Sequence, residues 1–159
     1  MTFLHRRFGQ KFNNTKREYG GRLYDSKLEV SYAESLDARL AAKQIVGWDR
    51  QRILRIFVNG RHAFDYKMDF IVETAPRCYE LVETKGFPTQ EWKLKWRVLE
   101  CVFDSKEFRT MNRFSDDDEL MLVLESSKAN KQWAERVRSK IHGLPSPKRT
   151  FRKKPKQKA

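Results

Sequence analysis

The 159-residue chain carries 34 Lys and Arg against 21 Asp and Glu, a formal net charge of +13, with 13% aromatic residues. That length suits one domain with a real core, and the aromatic content excludes a generically disordered chain. No run approaches 18 apolar residues and the start MTFLHRRFGQ lacks an apolar segment, so neither a membrane span nor a signal peptide is indicated.

In chain order, residues 1–24 are expected to be a basic arm: residues 1–17 hold five Lys/Arg and no acid, and Gly20-Gly21 marks a turn. A helix is expected from Ser26 to about Gln44, with Leu28, Tyr32, Leu36 and Leu40 at every fourth position. WDRQRILRIFVNGRHAFDYKMDFIVE reads as two strands joined at Asn59-Gly60, a strong hairpin signal. In the second strand the set Phe64, Tyr66, Met68, Phe70 and Val72 is expected to face one way, with Asp65, Lys67 and Asp69 facing the other. A third strand covers 79–85. Thr89 caps a helix running to about Phe103, with Trp92, Trp96 and Leu99 on one face. ELMLVLE reads as a buried fourth strand and NKQWAERVRSKIHGL as a final amphipathic helix. The expected architecture is α/β, a mixed central β-sheet flanked by helices. One domain spans 25–144, and a disordered tail, 145–159, carries seven Lys/Arg and no acid. Basic ends on a more balanced body suit a polyanion, most often nucleic acid. Cys78 and Cys101 lack CxxC spacing, so no thiolate zinc site is expected; two reduced thiols in a cytosolic protein are the expected state, with one disulfide as the alternative.

The strand YELVETKG poses the chemical question. Tyr79, Leu81, Glu83 and Lys85 share a face, so an acid and a base follow two apolar residues toward a core. If the preceding strand lies alongside, Asp69 and Glu83 meet at one end of the sheet. Paired carboxylates call for a cation, and hard oxygen ligands suit Mg²⁺ or Mn²⁺. Lys85 would reach the same point. The plain alternative for Glu83 and Lys85 is a cross-strand ion pair. Glu29 has an alternative of its own, since Ser26-Lys27-Leu28-Glu29 fits a capping box.

GRLYDSKLEVSYAESL, YKMDFIV and YELVETKGFPTQEWKLKWRVLE, within about residues 16–103, resemble a family of small phage and prophage nucleases of the PD-(D/E)XK superfamily. The ordered set of YDSKLE, DF and VETKGF is more specific than the D…ExK core alone. The resemblance implies a restriction-endonuclease-like core and a divalent-metal site. The catalytic set would be Glu29, Asp69, Glu83 and Lys85, with Asp69, Glu83, the main-chain carbonyl of Thr84 and Glu29 toward the metal. It implies a DNA endonuclease, conceivably junction-resolving and therefore a homodimer, leaving 5′-phosphate and 3′-hydroxyl ends, in the cytoplasm of a bacterial host. No membrane and no small-molecule substrate is expected.

DNA contacts are expected from Lys93, Lys95 and Arg97, for which a solvated helix face is an equal reading, and from Arg149, Arg152, Lys153 and Lys154 in the tail. His5, His62 and His142 read as ordinary core or surface residues, Gln51 as an exposed strand residue, and Asp116, Asp117, Asp118 and Glu119 as a solvated acidic turn. Trp92, Trp96 and Trp133 read as core, Trp48 as core or a base-stacking platform. A non-catalytic nucleic-acid-binding module, working through the basic arms, is the competing function; an RNA-binding accessory protein is a third.

Overall fold

The computed structural model describes residues 16–126. The expected final helix, the tail with Arg149, Arg152, Lys153 and Lys154, His5, His142 and Trp133 lie outside the described residues.

Two short strands, β1 (Arg17–Tyr19) and β2 (Arg22–Tyr24), pair antiparallel. Gly20 and Gly21 turn between them at φ values of 57° and 70°, which glycine adopts without Cβ strain. The stretch expected to be an arm through residue 24 therefore ends in a hairpin, because alternating side chains of REY and RLY carry Tyr19 and Tyr24 onto a core. Helix α1 (Lys27–Ala41) follows, with the Ser26 hydroxyl accepting from the Glu29 amide. Strands β3 (Gly47–Val58) and β4 (Arg61–Ala75) form a long hairpin, its Asn59-Gly60 turn having positive φ at both positions as a type I′ turn requires. Strand β5 (Cys78–Lys85) runs back along β4.

The chain then crosses over through α2 (Gln90–Val102), capped by Thr89, and α3 (Lys106–Asn112), capped by Ser105, to reach β6 (Glu119–Ser126) parallel to β5. Parallel neighbours need such a crossover. The sheet order is β3-β4-β5-β6, a mixed sheet flanked by three helices. Helix α3 was not expected from sequence: seven residues are too few for a helical period to emerge. Its Asn112 is buried and bonds Arg55 at both backbone groups, Arg55 N–H to Oδ1 at 2.7 Å and Nδ2 to the Arg55 carbonyl at 3.1 Å. One side chain thus occupies part of the open β3 edge in place of a further strand.

Two apolar clusters lie on the sheet. One joins Leu54, Ile56, Tyr66, Met68 and Leu81 to Trp92, Trp96, Leu99 and Phe108 of α2 and α3. The other joins Phe70, Val72 and Val82 to Tyr24 and to Ala33 and Leu36 of α1. The expected single apolar face of β4 is therefore split, Tyr66 and Met68 entering the first cluster and Phe70 and Val72 the second. Across the hairpin the same reversal occurs: Arg52 lies over the Phe114 ring of the first cluster and Arg50 over the Tyr24 ring of the second. Between them Gln51 takes a φ of 54°, outside the β region, which breaks the regular alternation of the pleat. Strict alternation from sequence assumed an unbroken pleat. The break falls at the level of Asp69. Among the described residues no helix is long and apolar enough to cross a membrane.

Candidate active site

The ladder between β4 and β5 runs as far as Phe70 opposite Val82. One residue further, Asp69 takes over from the backbone: its Oδ2 accepts from the Thr84 N–H and from the Thr84 hydroxyl, both at 2.8 Å. The carboxylate thereby satisfies a strand amide where the pairing stops, and Oδ1 remains for another partner. Burial raises the Asp69 pKa, opposed by the Thr84 hydrogen bonds and by the charges of Lys85 and Lys67.

Glu83 follows Leu81 onto the inner face of β5 and is 4% exposed. Its Oε1 accepts from the Trp92 indole N–H at 2.8 Å and lies 3.6 Å from the Lys85 ammonium. The same indole N–H reaches the Tyr66 hydroxyl at 2.9 Å. Glu83 Oε2 is buried and has no hydrogen-bond partner among the described residues. Burial first, and the Asp69 charge second, push the Glu83 carboxyl up to about 8, against the pull of Lys85 and of hydrogen bonds from Trp92 and Tyr66. Lys85 is half-buried, with its ammonium 5.3 Å from the centre of the Trp92 ring.

Glu29 joins from the first turn of α1. Its Oε1 accepts from the Ser26 hydroxyl at 2.9 Å and its Oε2 from the Asp25 amide at 3.3 Å, a variant of the capping box that reaches the amide before the N-cap. Burial and the nearby Asp69 charge raise its pKa above the usual carboxylate range. Of the two roles open to Glu29 in the sequence, capping is the one its hydrogen bonds fill; its place in the fold also brings it to the wall of the site.

A cavity of about 700 Å³ gathers these groups: Glu29, Asp69, Glu83, Thr84 and Lys85 all line it. The elements explain the convergence. The α1 N-terminus, the reversed segment of β4, the end of β5 and the start of α2 meet where β4 and β5 part. Among the described residues no three His, Cys, Asp or Glu side chains already enclose an ion-sized space. The donor set nevertheless fits a hard divalent cation: carboxylate oxygens, one of them buried without a partner among the described residues, beside a lysine.

Sequence reasoning missed several lining residues. Tyr66 and Trp92 were counted as core, and both are buried there, but they also hold the Glu83 carboxylate. Asp25 and Lys67 also line the cavity; neither carried a spacing signal. Of the three helix cations expected to meet DNA, Lys95 lines the cavity, whereas Lys93 and Arg97 do not. Elsewhere, Trp48 packs on the second cluster and donates to Asp37 at 3.1 Å, a structural position. His62 pairs with Asp65 on the surface. Gln51 is half-buried at the pleat break rather than fully exposed. The 115–118 turn is braced by Arg77, which bonds Ser115, Asp117 and Asp118. Cys78 and Cys101 are free thiols. Comparison with protein-family models, with curated proteins and with solved structures finds no match.

Proposed function

We propose that this chain is a divalent-metal-dependent phosphodiesterase that cuts DNA, built on a restriction-endonuclease-like core. One observation carries the reading: Glu83 Oε2 is buried with no partner among the described residues, in a cavity shared with Asp69, Glu29 and Lys85. An ionised carboxylate in that position is costly unless a cation meets it. Lys85 and the Trp92 indole N–H both meet the other oxygen, Oε1.

Asp69 through Oδ1, Glu83 through Oε2 and the Thr84 main-chain carbonyl would hold Mg²⁺ or Mn²⁺, with Glu29 as a further ligand once released from its cap. The cation, when bound, supplies Lewis acidity toward the phosphodiester and acidifies water at neutral pH. Lys85 does the remaining electrostatic work. Its ammonium, steadied by the Trp92 ring and Glu83, stabilises negative charge as it builds on the phosphoryl oxygens. The Thr84 hydrogen bonds keep Asp69 from swinging out of the site. Hydrolysis needs no covalent protein nucleophile, and the nuclease resemblance gives 5′-phosphate and 3′-hydroxyl ends. The net charge of +13 suits a polyanionic substrate.

The test is cleavage of labelled duplex, single-stranded, flap and three- and four-way junction DNA in Mg²⁺, Mn²⁺, Ca²⁺ or EDTA, by the wild type and by Glu83→Gln. Metal-dependent cutting that the substitution removes is the expected result, and the preferred substrate names the task. Binding without cutting in every metal, unchanged by Glu83→Gln, would instead assign the chain to non-catalytic nucleic-acid binding.

A further inference from the structure

The carboxylates that suit the cavity to a cation also repel the phosphates of any DNA approaching it. Lys85, beside Glu83, serves the reacting phosphodiester, so attraction for the neighbouring phosphates has to come from elsewhere on the wall. Two more lysines line the cavity, Lys95 on α2 and Lys67 on β4. Lys67 was not singled out by any spacing; alternation merely set it on the face opposite the apolar one.

Its surroundings suit a phosphate. The Lys67 ammonium lies 3.8 Å from Asp25 Oδ2, and Asp25 is shared, its Oδ1 lying 3.9 Å from the Lys16 ammonium. Both contacts are long and about half-exposed, the kind of surface pair that contributes little and exchanges readily. Asp25 therefore keeps Lys67 at the rim without neutralising it firmly. Two residues along the strand stands Asp69, on which the positive charge of Lys67 is felt. Lys95 is held more closely, by Glu91 on its own helix at 2.9 Å.

We infer that Lys67 is a substrate-positioning residue that leaves Asp25 to hold a DNA phosphate next to the one being cut, on the β4 wall of the cavity. This rests on the phosphodiesterase reading for the word "cut", and on the cavity alone for the phosphate contact. Lys67 positions the backbone so that the reacting phosphodiester lies over Asp69 and Glu83, and it takes no part in bond breaking.

The experiment measures binding of a labelled duplex and a four-way junction in EDTA across a salt series, then single-turnover cleavage in Mg²⁺. The proteins are the full chain and its Lys67→Ala, Lys67→Gln, Lys67→Arg and Lys106→Ala variants. Lys106 sits exposed on α3 and does not line the cavity. Losing one phosphate contact flattens the slope of log K against log salt by about 0.9. Lys67→Ala and Lys67→Gln are expected to show that change and to bind about ten-fold more weakly at low salt, the scale of one charge-assisted hydrogen bond. Lys67→Arg restores the slope, and Lys106→Ala keeps it. An unchanged slope in the folded Lys67 variants, or an equal loss in Lys106→Ala, overturns the assignment, because the attraction is then diffuse. Wild-type protein that binds no DNA overturns it as well. Slope loss at Lys67 in a protein that cuts nothing in any metal upholds the phosphate contact and rejects the nuclease reading instead.

Discussion

The two ends of β5 share a strand and the same two neighbours, yet they are built on opposite principles. At the Cys78 end the strand is laddered to both β4 and β6, and the adjoining turns are tied by Arg77 to Asp117 and Asp118 on the surface. At the Lys85 end the β6 ladder continues to Ser126, but β4 has parted, and a carboxylate fills the place of a strand amide's backbone partner. Polar groups at the first end are satisfied even where mostly buried, as Asp118 is by Arg77 and the Ser115 amide. At the second they are buried, and among the described residues one oxygen is left over. A fold that strives only for stability would not build the second end.

The largest effect expected from that contrast belongs to Glu83→Gln. Cleavage should fall by about a thousand-fold or more, the scale on which a single electrostatic group at a reacting centre acts. The metal-free fold should melt no lower than the wild type and is expected to melt higher, because the amide carries no charge into the buried position. The pH profile sharpens this. The Glu83 carboxyl titrates near 4.5 when unfolded and about 8 when folded, so folding takes up a proton in between. Stability contributed by the protonated form is complete below about pH 4.5 and is lost as the pH rises toward 8. Thermal melts of metal-free protein across that range should show the decline in the wild type and a flatter profile in Glu83→Gln. A wild-type profile as flat as the variant's would show that the carboxyl is not under strain.

Asp69 separates the two duties of a single side chain. Asp69→Ala should abolish cleavage and also leave the Thr84 amide without its acceptor, costing roughly 1–3 kcal/mol of stability by urea unfolding. Asp69→Asn keeps an acceptor oxygen and should cost less, with cleavage still lost. Equal stability losses would mean that the Thr84 bonds do not depend on the side-chain oxygen.

The sequence disclosed most of the elements and the chain positions of Asp69, Glu83 and Lys85, because hairpin turns, caps and apolar strands are local signals. It did not disclose α3, whose anchoring is tertiary: Asn112 bonds a strand some 57 positions earlier in the chain. Nor did it disclose the reversal of the pleat at Gln51, since a backbone φ of 54° has no signature in a residue with a full side chain. Tyr66, Lys67 and Asp69 nonetheless all line one cavity, because it opens where β4 and β5 part and is reached from both faces of β4. The Asn112 bridge is itself testable. Asn112→Ala, which strips both bonds from the Arg55 backbone, should cost about 2 kcal/mol in urea unfolding, about 1 kcal/mol per hydrogen bond, with the single-turnover rate retained.

The smallest effect is expected at the other end of β5. Arg77 stands at a φ of 68° in the turn between β4 and β5, and its guanidinium reaches the 115–118 turn that leads into β6. Arg77 and Asp117 are exposed, so solvent competes for their bond, and the mostly buried Asp118 side chain keeps the Ser115 amide as a donor when Arg77 is lost. Arg77→Ala should lower the melting temperature only slightly and leave single-turnover cleavage unchanged. Arg77→Gly should recover part of the loss, because glycine tolerates the left-handed backbone that the turn imposes. The pair of variants separates charge from conformation at one position. If Arg77→Ala instead slowed cleavage, the ladder to β6 would be transmitting a shift along the whole strand to Glu83, and the two ends of β5 would no longer be independent.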